Sequence, residues 1–423
     1  MPSAISFLIK NKALRIPHFK KYLTMRVLVT LALNMQSTII YFWVYHLTND
    51  VVQLGKLGLF EVIPAILCSL FSGHFVDIRE KKGLILQCVI GYILLSAFFV
   101  FLSTPMFGKQ ASISTIINLV YAGIFIGGAL RAFISPATFA LMAGLLPRKY
   151  YANGTTWSSA SWQIGFVAGR LLAGFMLVFG IAISLTATLL IQLGALAATI
   201  GIPRQAVVKK VKEPILKSLR EGIKFVFSTQ VILAALSLDM FAVLFGGATA
   251  LLPAYAKDIL HVGTIGFGWL CAAPGIGSVL TLGILSFLPL KNKPGIKLLG
   301  CIAGFGLSII VFGISTSFML SFFMLLVGGM FDAVSVVIRG TILQIYTPDK
   351  VRGRVAAVNT MFISSSNELG AVESGYTAKW MGMVPSVVFG GCMTLVVVGI
   401  TFLAAPMLRV LNLSGDDKAP EKV

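Results

Sequence analysis

About twelve stretches of largely apolar residues follow one another along this chain, each long enough to cross a bilayer as a helix. A bilayer core about 30 Å thick requires roughly 20 apolar residues in helical conformation. Hydrophobic residues occupy 57% of the 423 positions and charged residues only 12%, a composition that excludes an ordinary soluble domain. The expected spans, numbered 1 to 12 in chain order, are 22–47, 54–76, 84–103, 113–140, 155–179, 181–201, 231–256, 266–289, 295–316, 318–346, 355–380 and 383–407.

The polarity pattern of these spans favours helices over a membrane β-barrel. A barrel strand shows about ten residues of alternating polarity, and none of the spans has that pattern. The 42 glycines suit helix packing in lipid, where small residues let two backbones approach closely. The sequence therefore predicts an all-α membrane protein with twelve transmembrane helices.

The distribution of positive charge predicts the orientation of the chain. Of 34 Lys and Arg residues, 27 lie in the segments that alternate crossings leave on one side. The exceptions are Lys56, Lys109, Lys257 and Lys379 on the other side and Arg131, Arg170 and Arg339 within spans. Because Lys and Arg near span ends are retained in the cytoplasm, we expect a multi-pass protein of the cell inner membrane with both termini cytoplasmic. The net charge of +19 then reflects topology and not a nucleic-acid partner.

A polar, basic segment at 202–230 divides the spans six and six. We expect an N-terminal six-helix bundle at 1–201, a cytoplasmic linker at 202–230, a C-terminal six-helix bundle at 231–410 and a cytoplasmic tail at 411–423. Within the linker, apolar residues at helical spacing after Pro214 predict an amphipathic helix on the inner membrane surface, with its basic residues towards the headgroups. A solvated linker is the alternative. The sequences of the two halves are weakly similar, as in transporters built from two repeats around a mid-membrane site.

Between spans 2 and 3, residues 73–83 read Gly-His-Phe-Val-Asp-Ile-Arg-Glu-Lys-Lys-Gly. Gly73 permits a close helix approach, and Asp77 can cap a neighbouring helix or pair with a basic residue. A basic run fixes a tight cytoplasmic turn, formed by Arg79, Lys81 and Lys82. The segment resembles the G-x-x-x-D-R-x-G-R-R signature of the major facilitator superfamily, and departs from it only in the middle. All five residues are predicted to act in gating.

Two segments of the second half narrow the resemblance to one branch of the superfamily. Residues 347–375, leading into and through span 11, and 266–277 in span 8 resemble the enterobactin-exporter-like branch of that superfamily. The resemblance covers essentially the whole chain and implies the major facilitator fold, with two six-helix bundles that work by alternating access. Gating or packing roles are predicted for Arg352, Gly353, Arg354, Glu368 and Glu373 of this region.

The same resemblance implies a secondary transporter that exports a small organic molecule, driven by the proton gradient. A siderophore is the first candidate substrate. Multidrug or toxic-metabolite efflux and lipid flipping are the alternatives, whereas a non-transporting receptor would require an additional folded domain. We expect a monomer in the lipid bilayer that binds a small-molecule substrate and no nucleic acid.

Ionisable residues within the spans are the strongest candidates for function, because such groups usually face a cavity or a partner. The resemblance places spans 1, 4, 7 and 10 around the central cavity. Arg131 is a candidate partner for a substrate anion, with a structural ion pair as the alternative. Asp239 and Asp332 are candidates for substrate binding and proton coupling, with a structural role also open. Arg339, two helical turns after Asp332, is predicted to lie near the inner gate, and Arg170 is treated as structural.

Polar and aromatic residues that interrupt two spans complete the predicted substrate site. They are Asn34 and Gln36 of span 1 and Trp162 and Gln163 of span 5. Aromatic rings suit flat ligands such as catecholates and also greasy drugs, although core or lipid contact is the alternative for each ring. The sequence shows no nucleotide-binding loop, no paired metal ligands and no nucleophile beside a base. We therefore expect no enzymatic activity, no metal and no cofactor.

Overall fold

The computed structural model of the protein describes residues 12–108, 110–205, 215–285, 293–348 and 351–411. This part of the chain is almost wholly helical, which confirms the prediction of an all-α fold. Each long helix takes the number of the predicted span with which it overlaps. In order they are Pro17–Thr48, Val51–Ile78, Lys81–Ser103, Ile113–Leu145, Tyr151–Met176, Ile181–Ile200, Gln230–Phe245, Thr264–Leu285, Pro294–Ile314, Phe318–Tyr346, Arg352–Met381 and Met383–Ala404. A further helix at Ile215–Ser228, here called the linker helix, precedes helix 7.

Eleven of the described helices are long and apolar enough to cross a membrane. Helix 11 is not among them, although its 30 residues give it sufficient length. Its sequence carries Glu368, Glu373 and Lys379 together with many serines, which lowers its hydropathy below that of the other spans. The chain is a multi-pass membrane protein, and the count of twelve spans stays a prediction.

Span 7 is interrupted, where the sequence predicted one continuous stretch at 231–256. The α-helix ends at Phe245, a 3₁₀ turn occupies Ala248–Leu251, and a π-helical turn occupies Tyr255–Ile259. The break falls at Gly246 and Gly247, where the backbone is least restricted. A Cβ atom on Gly247 would lie 2.7 Å from the backbone of Gly370 in helix 11, so the interrupted chain packs directly against that helix.

The helices form two compact units, one with residues 1–47 and 63–212 and the other with 48–62 and 213–423. In the first unit, helix 3 packs against helices 4 and 6, and helix 1 packs against helix 5. Gly165 of helix 5 allows the second contact, because a Cβ atom there would lie 2.8 Å from the Val27 carbonyl oxygen. The predicted domain boundaries at 201 and 231 stay predictions.

In the second unit, helix 9 packs against helices 10 and 12, helix 8 against helix 10, and helix 7 against helices 11 and 12. Glycines lie at the closest crossings. Gly329 of helix 10 packs against the backbone of Pro274 in helix 8, and the Ser278 hydroxyl donates hydrogen bonds to the carbonyl oxygens of both residues, at 3.2 and 3.0 Å. This small-residue packing is the kind that holds helices together in lipid.

Substituting Gly329 with alanine tests this crossing. The added methyl group would collide with the Pro274 backbone, and overpacking of this kind costs about 1–3 kcal/mol. We expect Gly329→Ala to lower the thermal unfolding midpoint of the detergent-solubilised protein. Gly340→Ala in the same helix is the matched control, because a Cβ atom there meets no described atom within 4 Å. Equal midpoints for the two variants would contradict the packing described.

Candidate functional site

Two ionised side chains from different helices meet inside the second unit. The Arg339 Nη1 atom of helix 10 lies 2.5 Å from the Asp239 Oδ2 atom of helix 7, and both side chains are almost fully buried. The Arg339 Nε atom also donates a hydrogen bond of 3.3 Å to the hydroxyl of Ser335, which is buried as well. Arg339 therefore meets another helix, and its position near the inner gate stays a prediction.

The residues next to this pair in the sequence are apolar and buried. Leu238 and Ile338, the neighbours of the two charged residues, belong to a buried cluster formed by helices 7, 9, 10 and the segment after helix 12. Removing one partner of a buried ion pair leaves an uncompensated charge and is strongly destabilising. The contact between the two side chains is consequently favoured as long as both groups are ionised.

A second carboxylate lies on the same helix as Arg339, two turns away. Asp332 is partly buried on helix 10 and interacts electrostatically with both Arg339 and Asp239. One arginine neutralises the charge of only one carboxylate, and an unneutralised negative charge within a span is costly. Asp239 and Asp332 are therefore the candidate proton-binding groups of the second unit.

Helix 5 of the first unit presents two exposed faces of different chemistry. One face is entirely apolar and exposes Ile164, Leu172 and Phe175. The other face carries hydroxyl groups, an amide, two aromatic rings and a cation, contributed by Thr155, Ser159, Trp162, Gln163, Phe166 and Arg170. Lipid can cover the first face, whereas a charged group within a span faces water or a polar partner. The second face is therefore the one available to a substrate.

Three side chains stack along the polar face of helix 5. The rings of Trp162 and Phe166 lie 5.2 Å apart and nearly parallel, and the Arg170 guanidinium carbon lies 4.0 Å from the Phe166 ring centre. Their spacing of four residues aligns them on one side of the helix. Trp162 is 43% exposed, so a flat ring can stack on its free side. The cation at the other end of the stack suits an anionic group.

Arg131, the predicted partner for a substrate anion, lies near the middle of helix 4 with an exposed side chain. Ser135, one turn further along the same face, is also exposed. A lipid-facing arginine in mid-span would be strongly unfavourable. The first unit thus carries two mid-span arginines, the exposed Arg131 and the half-buried Arg170.

The residues of span 1 that were predicted to bind substrate make contacts within the bundle. The Gln36 side-chain oxygen accepts hydrogen bonds from the Ser96 hydroxyl at 2.6 Å and from the Gln192 amide at 3.0 Å, which joins helices 1, 3 and 6. The Asn34 amide donates to the Thr30 carbonyl oxygen at 2.9 Å. These contacts favour a bundle-fixing role for Gln36, and its role in binding substrate stays a prediction.

The predicted gating motif between helices 2 and 3 is organised by Glu80. Its carboxylate accepts hydrogen bonds from the backbone nitrogens of Lys82 at 3.1 Å and Gly83 at 2.8 Å and so caps helix 3. The Lys82 ammonium group donates to the Ile200 carbonyl oxygen at the end of helix 6, at 2.8 Å. The sequence assigned a capping role to Asp77, but the surroundings of Asp77 and of Gly73 are not among those that the structure describes. Arg79 lies over the Phe75 ring.

The predicted gating residues of helix 11 contact three different elements. Arg354 forms an ion pair with Glu221 of the linker helix. Glu368 lies close to Gly58 of helix 2, since a Cβ atom added to Gly58 would be 3.4 Å from the Glu368 carboxylate. The Glu373 carboxylate accepts a hydrogen bond of 3.3 Å from the Ser374 hydroxyl. Arg352 and Gly353 lie in the first turn of helix 11, and their surroundings are not among those that the structure describes. The structure therefore does not gather these residues into one group.

Several participating residues were not recognised in the sequence. Phe166 lies one turn from Trp162, Ser335 lies one turn from Arg339, and Glu80 directly precedes the helix that it caps, so local spacing could have found all three. The others are polar or charged partners supplied from distant positions, namely Ser96, Gln192 and Glu221. Sequence spacing carries no signal for such contacts, because they depend on how separate helices pack.

The fold and the buried charges together define a multi-pass membrane transporter. Residues 22–371 match the family model described as Major Facilitator Superfamily, and the chain belongs to that family. Among its relatives are the enterobactin exporter EntS of Citrobacter koseri, 24% identical over 398 residues, and that of Escherichia coli O1:K1, 23% identical. Each alignment covers 92% of this chain and 91% of the relative. The resemblance inferred from the sequence motifs is confirmed.

Solved transporter structures share the fold at low sequence identity. A bacterial homologue of the human lysosomal transporter Spinster is 16% identical with a TM-score of 0.65, over 93% of this chain and 96% of its own. The nucleoside transporter NupG is 12% identical with a TM-score of 0.68, over 92% and 98%. A POT family transporter in complex with 5-aminolevulinic acid is 11% identical with a TM-score of 0.72, over 92% and 96%. The relatives are transporters, which supports a transporter over an enzyme.

A double-mutant cycle tests the buried ion pair. Asp239→Asn and Arg339→Gln should each lower the free energy of unfolding by about 3 kcal/mol, because each leaves a charge in an apolar site. The double variant should cost less than the two losses combined, by at least about 1 kcal/mol. Thermal or denaturant unfolding in detergent measures all four proteins. Strictly additive losses would show that the two side chains do not interact.

Proposed function

We propose that this protein is a proton-coupled exporter of an aromatic, anionic small molecule, with a siderophore such as enterobactin as its first candidate substrate. The observation that carries the proposal is the buried ion pair of Arg339 with Asp239, with Asp332 as a second carboxyl group that interacts electrostatically with both. The names of the relatives supply the candidate substrate. Multidrug or toxic-metabolite efflux is the second candidate, because a stacked aromatic face also suits flat apolar drugs.

Proton coupling follows from the electrostatics of the ion pair. A proton bound to Asp239 removes the negative charge that holds Arg339, and the guanidinium group can then turn to Asp332. Breaking the pair frees helix 7 from helix 10, and the interruption at Gly246 and Gly247 gives helix 7 a place to bend. Protonated and unprotonated Asp239 therefore favour different arrangements of the second unit. A ligand that binds one arrangement better shifts the population towards it.

Substrate recognition is assigned to the first unit. The exposed face of Trp162 stacks on an aromatic ring of the substrate, and Arg170 and Arg131 attract its negative charge. Gln163 on the same face offers a hydrogen-bonding amide. In this proposal, substrate and proton act on different units of the same chain and are linked through the conformational change of alternating access.

The remaining assignments follow from topology and from the energy source. The protein lies in the cell inner membrane with both termini cytoplasmic, as the distribution of Lys and Arg indicates. It acts as a monomer in the lipid bilayer and uses the proton gradient without a cofactor or metal. Its working partners are the bilayer and a small-molecule substrate, with no nucleic acid.

Removing the proposed proton site should uncouple transport. In proteoliposomes with an imposed pH gradient, the wild type is expected to concentrate enterobactin against its gradient. Asp239→Asn should abolish this accumulation, because an asparagine cannot exchange a proton. Asp258→Asn is the matched control, since this carboxyl group lies exposed at the far end of span 7. The Asp258→Asn protein should accumulate substrate at the wild-type level.

The same assay separates the alternatives. Undiminished accumulation by Asp239→Asn would exclude Asp239 as the coupling residue. Transport of planar aromatic dyes without transport of enterobactin would favour drug efflux over siderophore export. Movement of fluorescent phospholipid between leaflets without either flux would favour lipid flipping.

The stacked face of helix 5 should set the affinity for substrate. Trp162→Ala is expected to raise the KM of transport about tenfold, which corresponds to the roughly 1–1.5 kcal/mol contributed by an aromatic stack. Phe175→Ala on the apolar face of the same helix is the matched control and should leave KM unchanged. A KM that rises equally in both variants would show that the effect comes from helix packing and not from substrate contact.

A further inference from the structure

The linker helix has two opposite faces, of which one is buried and one is exposed. Gly222, Val226 and Thr229 lie on the buried side, where Val226 joins a cluster with Ile232 and Leu236 of helix 7 and with Val355 and Val358 of helix 11. The residues of each face recur at intervals of three and four, as one side of a helix requires. The helix is therefore docked on the second unit through a defined face.

Two contacts fix the rotation of the linker helix about its axis. A Cβ atom on Gly222 would lie 2.9 Å from the Arg354 carbonyl oxygen, so the two backbones touch. Glu221 forms an ion pair with the Arg354 side chain. This pair also directs the acidic group of the helix towards helix 11. The negative charge of Glu221 is thereby paired with Arg354, although the Glu221 side chain stays 40% exposed.

The exposed face combines positive charge with large apolar side chains. It carries Arg220, Ile223, Lys224 and Phe227, with Ile223 38% and Phe227 58% exposed. The helix ends at Ser228 and membrane-spanning helix 7 begins at Gln230. This continuity places Phe227 at the boundary of the bilayer, where an aromatic ring and flanking cations suit the headgroup region.

We propose that this exposed face binds anionic phospholipid headgroups of the inner leaflet, with Arg220 and Lys224 contacting phosphate groups and Ile223 and Phe227 entering the acyl boundary. The occupant follows from charge complementarity and from the position of the helix at the membrane boundary. Each basic residue near an anionic membrane surface strengthens binding about fivefold, so that this pair contributes roughly thirtyfold. The inference is independent of the transported substrate and of proton coupling.

Hydrogen exchange in lipid nanodiscs tests this proposal without a transport assay. The full-length protein is placed in phosphatidylcholine nanodiscs with or without phosphatidylglycerol. Exchange of the amides at 220–228 is expected to be several times slower with the anionic lipid, up to about the thirtyfold limit set by two cations. High salt should reduce this difference, because it screens the attraction.

Three variants decide the outcome. Arg220→Gln with Lys224→Gln should remove the difference between the two lipids, whereas the charge-conserving Arg220→Lys with Lys224→Arg should retain it. The matched control is Lys293→Gln with Lys297→Gln, which removes two exposed cations near the start of helix 9 and should also retain it. Equal exchange of the wild type in both lipids, or the same loss in the control, would overturn the proposal.

Discussion

The structure depends on the cost of placing charge in a bilayer. A charged side chain within a span is strongly unfavourable unless it meets a partner or faces water. In the second unit this constraint pairs Arg339 with Asp239 at 2.5 Å and holds helix 10 against helix 7. In the first unit the same constraint predicts that the exposed Arg131 and the stacked Arg170 face water or a polar partner and not lipid. The same physical rule therefore locates the candidate proton site and the candidate substrate face.

The two units use this rule in different ways. In the second unit, Asp239 and Asp332 both interact electrostatically with Arg339, and the proposed mechanism uses this excess of carboxyl groups to bind a proton. The first unit has cations beside aromatic rings, which suits an anionic aromatic ligand. The two units also differ in packing. The Gln36 side chain joins three helices of the first unit, whereas helix 7 of the second unit is interrupted at Gly246 and Gly247.

Much of the fold could be predicted from the sequence, because hydropathy reports directly on burial in lipid. Span 10 was predicted at the observed bounds of Phe318–Tyr346. The interruption of span 7 was missed, since two adjacent glycines among 42 do not distinguish a helix break from ordinary close packing. The docking of the linker helix on helix 11 was not predicted, because it depends on a close backbone approach at Gly222, where a Cβ atom would lie 2.9 Å from the Arg354 carbonyl oxygen.

The site was predictable as a set of residues but not as a set of contacts. Asp239 and Arg339 stand out as charges within spans, yet their pairing depends on how helices 7 and 10 cross. Arg170 was treated as structural, although its spacing from Phe166 and Trp162 already aligns the three on one side of a helix. Glu80 caps helix 3 within a motif whose capping role was assigned to Asp77.

The dependence of substrate affinity on pH tests the central claim that Asp239 links proton binding to transport. Binding of the transported substrate to the detergent-solubilised protein is measured across a range of pH, without any gradient. If proton and substrate favour opposite states, the wild-type Kd rises as pH falls, with a slope of log Kd against pH that approaches one proton. Asp239→Asn should bind with a Kd that no longer changes with pH. The same slope in the wild type and in Asp239→Asn would contradict the account.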